Sequence, residues 1–183
     1  MNKKRLTQVV NVTTLLRMTN RTAILVDLDN LVGGISAYDP QAMQAVAAFL
    51  PKLQTGDDHV VLAYCASLVP EVMPYTEFTP YRHLWGRGPD GADHQLLSVI
   101  KDERLAARFE EIVLVSGDGI FAPAVAALCA GGTSVVVASR SRCLSTKLRL
   151  AAPRWVSLDG LLPSEPARLD PPPAAIARIN NAA

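Results

Sequence analysis

The sequence predicts a three-layer α/β/α sandwich built on a mainly parallel central sheet. Three observations carry that prediction. Short runs rich in Ile, Leu and Val recur along the chain, at Ala23–Val26, His59–Ala66, Ile112–Val115 and Ser134–Ala138, each bounded by polar residues. Such runs suit strands buried on both faces. Between them lie segments with apolar residues at three- and four-residue spacing, and strands alternating with helices imply a parallel sheet. The 183 residues are 49% hydrophobic with few aromatics, which supplies the core of one domain and argues against a mainly disordered chain.

In chain order, residues 1–21 read as a basic extension and Thr22–Asp27 as the first strand. Gly33 and Gly34 suit a loop over Leu31–Pro40. Gln41–Leu53 has helical periodicity (Ala45, Val46, Phe49, Leu50, Leu53), with Asp39 as N-cap, Pro40 in the first turn and Pro51 as a stop or kink. Gly56-Asp57-Asp58 reads as a turn before a second strand at His59–Ala66. Leu68–Thr79 contains Pro70 and Pro74 and reads as a loop with at most one helical turn. Tyr81–Trp85 is a short strand and Gly86–Gly91 a permissive loop. Ala92–Phe109 is the longest helix candidate. The strand Ile112–Val115 leaves through Ser116–Gly119 into a helix, Pro123–Ala130, stopped by Gly131-Gly132. Ser134–Ala138, Leu144–Leu150 and Arg154–Leu158 follow as strand, helix and strand. Pro163, Pro166 and Pro171–Pro173 mark residues 161–183 as an extended or disordered tail, which leaves residues 22–160 as the domain.

The formal net charge of +1 creates no global field demanding a polyanion or a membrane. Cys65, Cys129 and Cys143 are odd in number and widely spaced, which disfavours a disulfide framework or a zinc site and points to a reducing cytoplasm. No apolar run reaches the roughly 18 residues of a membrane span.

Chemistry-bearing residues gather at strand ends. Asp27, Asp29 and Asn30 follow the first strand, Asp118 follows the fourth, and Asp93 opens the helix after the third. In a parallel sheet these positions share the carboxyl edge, where ligands bind. Convergent carboxylates repel in a low-dielectric cleft, and a hard divalent cation resolves the conflict. Plainer readings stand beside this one. Asp93 and Asp118 both precede helices and suit caps. Asp29 suits a loop surface, and Asn30 suits a turn bonded to its own backbone. Asp27 is harder to explain structurally, because an acid directly after a buried strand has few such jobs.

Three segments then point to a family. Ala23-Ile24-Leu25-Val26-Asp27-Leu28-Asp29-Asn30, Gly91-Ala92-Asp93-His94-Gln95-Leu96-Leu97 and Val113–Pro123, which contains Ser116-Gly117-Asp118, resemble the three motifs of NYN domains in the PIN-like nuclease group. Gly131–Val137 and Leu144–Leu150 resemble the segments that follow, so the resemblance spans about Thr22–Leu158. It implies a PIN-like, Rossmann-like fold and a metal-dependent endoribonuclease. Asp27, Asp93 and Asp118 would hold Mg²⁺ or Mn²⁺, with Asn30 as a polar companion and Ser116 as part of the third motif. Many members carry a second acid two residues after the Ser-Gly-Asp aspartate, where this chain has Ile120. Asp29 or Asp90 would then compensate, or the domain would bind RNA with little cleavage.

Arg82, Arg87, Arg140, Arg142 and Lys147 are the cations expected near the acidic edge, where they would meet an RNA backbone or serve as ordinary surface charge. Of these, Arg87, Arg140, Arg142 and Lys147 are the RNA-binding candidates. His59 and His83 read as structural, His94 as a helix-surface residue, and Trp85 and Trp155 as core or interface. Tyr38 is the better stacking candidate. Asp27–Asn30 and Gly117-Asp118-Gly119 also resemble motifs of haloacid-dehalogenase-type phosphatases, but Leu31 follows Asn30 and Lys101 is poorly placed for the lysine that family needs. The apolar run Ala122–Ala130 suits either a face for a second copy of the chain or a helix packed on the sheet.

Overall fold

The computed structural model of the chain describes residues 21–33, 38–54 and 58–162. Six strands form one parallel sheet in the order β3-β2-β1-β4-β5-β6. They are β1 (Thr22–Asp27), β2 (His59–Cys65), β3 (Arg82–Gly86), β4 (Glu111–Val115), β5 (Ser134–Ser139) and β6 (Arg154–Ser157). The central strands β1 and β4 are buried along their whole length, as apolar runs with no polar alternation require. The expected three-layer α/β/α sandwich is present, and its sheet is wholly parallel.

The helices are α1 (Leu28–Val32), α2 (Pro40–Leu53), α3 (Val69–Val72), α4 (Gly91–Asp102), α5 (Leu105–Arg108), α6 (Ala122–Ala130) and α7 (Thr146–Ala151). One apolar core lies between the sheet and α1, α2 and the β2–β3 connection, with Leu31, Met43, Leu50, Tyr64 and Phe78 at its centre. The other lies beneath α4, α5, α6 and α7, around Leu25, Leu96, Leu105, Phe121 and Leu148. The chain crosses outward from β1 to β2 and β3, then returns to start β4 on the other side of β1. The connections after β1 and β4 therefore diverge, and a crevice opens between the carboxyl ends of those two strands.

Several segments differ from the sequence reading. Residues after Asp27 do not run directly into a loop but form α1, which buries Leu28, Leu31 and Val32 and ends at Gly33 with φ 86°. Leu68–Thr79 holds more helix than expected: α3 lies between one-turn 3₁₀ segments at Ala66–Leu68 and Thr76–Phe78. Burial of Leu68, Val72 and Phe78 fixes these turns against the core despite the prolines. Helix α2 starts as expected, with Asp39 accepting from the Gln41 N–H. It passes Pro51 to reach Leu53, whose buried side chain holds the last turn down. The long helix expected over Ala92–Phe109 is two helices. Arg104 takes a left-handed conformation (φ 53°) between them, which lets Leu105 turn into the core. Residues 1–20, Gly34, the Gly56-Asp57 part of the expected turn and residues 163–183 lie outside the described residues.

At the amino end of the sheet, the buried Glu111 carboxylate accepts from Arg154 Nη1 (2.8 Å) and Ser134 Oγ (2.9 Å). This acid ties β4 to β5 and β6 at the edge opposite the crevice. Among the described residues, no helix is long and apolar enough to cross a membrane.

Candidate active site

The acids sit where the crevice opens. Asp27 is the last residue of β1 and only 2% exposed. Its side chain accepts from the Asn30 N–H (3.1 Å) and from Ser116 Oγ (2.7 Å). Asp27 therefore has a structural job after all, as the N-cap of α1. Pairing of Val26 with Val115 brings the exit of β4 beside it. Ser116 Oγ in turn accepts the Asp118 N–H (3.2 Å), and Asn30 Oδ1 accepts the Gly117 N–H (3.0 Å). The Asn30 side chain thus bonds across the crevice instead of to its own backbone, while its N–H stays within the turn.

Asp93 lies in the first turn of α4, buried, and is not a cap: the capping position is Asp90, which makes no side-chain capping bond. Its place is set by the loop before it. A Cβ on Gly86 or on Gly91 would run into the backbone of the other, so only two glycines allow the end of β3 and the start of α4 to touch. Asp118 is exposed and does cap, accepting from the Ile120 N–H at 2.9 Å. Asp29 is half-buried in α1 and not on a loop surface. Both of its oxygens accept the Cys65 N–H at 3.0 Å, which pins the end of β2.

Burial raises the Asp27 carboxyl to about 8, and the charge of Asp93 adds to it; the Ser116 and Asn30 bonds pull the other way. Burial also raises Asp93 to about 6, helped by Asp118 and opposed by its contact with Asp27. Asp29 is raised by burial too, against the Cys65 N–H bond. Two buried carboxyls in mutual contact, with no ion pair to either among the described residues, suit a hard divalent cation. Among the described residues, no three acid, histidine or cysteine side chains are already gathered as a metal-holding group. Asp118 stands at the rim, turned to its own cap, while Asp27 and Asp93 form the inner pair.

The cations divide. Arg87 is exposed in the loop before α4, and Arg142 is exposed in the loop after β5. Lys147, exposed in the first turn of α7, packs with Ser145 beside Gly119, next to Asp118. Arg140 corrects the reading from sequence. It is buried, and its Nη2 donates to Leu31 O at 3.2 Å, so its guanidinium serves the end of α1 and is closed to a phosphate backbone. Arg82 is held by Glu103 at 2.6 Å.

His83 is structural as expected, bonded to Tyr64 Oη and Phe78 O, and His94 is exposed on α4. Trp85 and Trp155 are not core residues: they are 55% and 38% exposed on the two edge strands. Tyr38 is half-buried and packed against the core, which limits it as a stacking platform. Lys101 is eight residues beyond Asp93 on α4, about 12 Å along the axis, too far for a phosphatase lysine. The long-range bonds of Asn30 and Asp29 went unread in the sequence, because their partners are backbone N–H groups that leave no residue signature.

The sequence model of one family, described as the NYN domain, matches residues 21–159. No curated protein matches significantly. Among solved structures, the chain is similar to a protein of unknown function from Vibrio parahaemolyticus, with 20% identity and a TM-score of 0.56. That alignment covers 79% of this chain and 98% of the other, and at such identity it speaks for the fold alone.

Proposed function

The chain belongs to the NYN domain family, a PIN-like nuclease family, and on that premise we propose that it is a metal-dependent endoribonuclease hydrolysing RNA phosphodiester bonds. The observation that carries the reading is the contact of Asp27 with Asp93 at the switch point of the sheet, two buried carboxyls whose ionisation is opposed by burial and by each other. In this reading Asp27, Asp93 and Asp118 hold Mg²⁺ or Mn²⁺. The ion's charge offsets the carboxylates and stabilises the negative charge that builds on the phosphodiester oxygens. Ser116 and Asn30 keep Asp27 and the Ser116–Asp118 loop in register, while Asp29 secures the wall formed by β2. Arg87 and Lys147, on opposite sides of the acids, position the RNA backbone. Asp90 adds negative charge at the mouth. The free thiols of Cys65, Cys129 and Cys143 accord with a reducing cytoplasmic setting.

A second reading is an RNA-binding module without catalysis. It is favoured by Ile120 in place of an acid and by the engagement of Asp118 with the Ile120 N–H. One experiment separates the two. Labelled single-stranded RNA is incubated with the full chain in Mn²⁺, in EDTA, and with the Asp27→Asn and Asp118→Asn variants. Cleavage that needs Mn²⁺ and is lost in both variants is expected. Binding that survives EDTA, with no cleavage in any condition, selects the binding module.

A further inference from the structure

Helix α6 has no charged or polar side chain other than the Cys129 thiol. Val125 and Leu128 are buried against the sheet, while Pro123, Ala126, Ala127 and Ala130 are exposed. A helix that is apolar all round belongs in a covered place, yet no described residue covers this outer face. Beside it an apolar groove of about 620 Å³ runs between α6 and α4, with Ala124 and Ala127 on one wall and Leu97 and Ile100 on the other. Ala106 of α5 lines the groove at the amino edge of the sheet, where α5 leads into β4.

The chain enters the described fold beside that end. The Glu110 N–H donates to Arg21 O at 3.0 Å, and the Arg21 guanidinium lies 5.8 Å over the Phe109 ring. Phe109 caps the end of α5, one helical turn past Ala106. The sequence before Arg21 carries a pattern that suits the groove. Leu6, Val9, Val10, Thr13 and Leu16 recur at three- and four-residue spacing, and Thr7, Asn11 and Thr14 fall on the other side. Lengths agree as well. Leu6–Leu16 as a helix measures about 16 Å, and the nine residues of α6 measure about 13 Å. Residues 17–20 reach at most about 14 Å when extended, enough to lead from Phe109 past Ala106 and turn back between α4 and α6. The other end of the described chain is poorly placed to compete, because Leu162 is buried in the core on the opposite face of the sheet.

We infer that residues 6–16 form an amphipathic helix seated in this groove, with Leu6, Val9, Val10 and Leu16 turned toward its walls. The small side chains of Ala124 and Ala127 let a helix backbone approach closely, and Leu97 and Ile100 supply aliphatic contact. A helix this short and this rich in Val and Thr does not hold by itself in water, so its order comes from the groove. Lys3, Lys4, Arg5 and Arg17 stay in solvent. The seat stands independently of the reading of the acids.

Hydrogen exchange of the full chain, read by mass spectrometry, tests this. Amides of residues 6–16 are expected to exchange at least about tenfold more slowly than in an unstructured chain. Val10→Asp, on the apolar side of the segment, and Ala127→Trp, which fills the groove, should each abolish that protection, whereas Asn11→Asp, on the polar side, should retain it. Val10→Asp lies outside the domain of residues 22–160 and serves as the deciding variant if melting curves show that Ala127→Trp fails to fold. Free exchange of residues 6–16 in the unaltered chain, or protection that survives Val10→Asp, overturns the inference. So does protection that appears only as the concentration rises, together with a dimer in light scattering, since a second copy then covers the groove. Protection of residues 163–183 in place of residues 6–16, lost in Ala127→Trp, gives the groove to the other end of the chain and also overturns it.

Discussion

Ser116 Oγ donates to Asp27 Oδ2 at 2.7 Å across 89 positions of sequence, and the same oxygen accepts the Asp118 N–H at 3.2 Å. One hydroxyl therefore fixes the end of β1 against the exit of β4 and sets the spacing of two candidate metal ligands. Ser116→Ala leaves a buried carboxyl oxygen and an N–H without this partner, which costs about 1–3 kcal/mol. It should also move the Asp27 carboxyl further above its ordinary range, because the Ser116 bond is one of the influences holding it down. Urea unfolding at pH 6 measures the first effect, and unchanged stability would show that the bond is not formed in solution.

Asn30 and Gly117 offer a second test of the crevice. The Gly117 N–H is held by Asn30 Oδ1 at 3.0 Å, and the Gly117 carbonyl accepts the Ser145 N–H at 2.8 Å. A Cβ at position 117 would collide with the Cys143 carbonyl and approach Ser139 Oγ to 2.5 Å. Gly117→Ala is therefore expected to cost about 1–3 kcal/mol by forcing the β5–α7 loop outward, and to lower cleavage by displacing Lys147 and Asp118 together. Asn30→Ala should cost about 1–2 kcal/mol by leaving the Gly117 N–H unpaired. Thermal melts rank the two. If Gly117→Ala melts like the unaltered chain, the loop is not packed as described.

The raised carboxyls give the metal-free chain a definite pH response. Asp27 goes from 3.8 to about 8 on folding, and Asp93 from 3.8 to about 6. Over that window the folded chain binds more protons than the unfolded one, so stability falls as pH rises from about 4 to about 8 and then levels off. In EDTA the melting temperature should drop between pH 5 and pH 8. Asp27→Asn removes the larger share of the slope. Mn²⁺ at pH 7.5 should raise the melting temperature of the unaltered chain, by binding the ionised form, and have little effect on Asp27→Asn. A flat profile in EDTA, with no response to Mn²⁺, would remove the case for a metal at these acids.

The sheet and its order of elements were legible because buried parallel strands leave uninterrupted runs such as Ile24–Val26 and Val113–Val115, and Gly131-Gly132 punctuates the chain. Helix α1 was not, because five residues carry too little periodicity; its existence depends on the Asp27 cap and the packing of Leu31. The break at Arg104 was hidden for a related reason, since Leu105 and Ala106 continue the apolar pattern of α4 while the backbone turns. The positions of Asp27, Asp93 and Asp118 at one edge followed from strand ends alone. Their unequal burial did not, because it depends on the first turn of α4 holding Asp93 inward while Asp118 stays at the rim. Arg140 and Trp85 show the same limit in opposite senses: a cation expected at the surface is buried, and an indole expected in the core or at an interface is exposed on an edge strand, which removes the first alternative.

That division of the cations leads to the last prediction. Arg87 and Lys147 are exposed on opposite sides of the acids, whereas the Arg140 guanidinium is bonded to Leu31 O. Exposed cations that meet phosphates release counterions, so each contact adds to the salt dependence of RNA binding, by about 0.7 in the log–log slope for a single strand. Arg87→Ala and Lys147→Ala should each weaken binding and lower the slope by about that amount, with no change in melting temperature. Arg140→Ala should leave the slope unchanged and destabilise the fold by about 1–3 kcal/mol, since the Leu31 carbonyl loses its donor and a buried space opens at the end of α1. Titrations of labelled RNA at several salt concentrations, paired with thermal melts, separate the two behaviours. A drop in slope for Arg140→Ala at unchanged stability would place its guanidinium on the RNA, against the buried position described above.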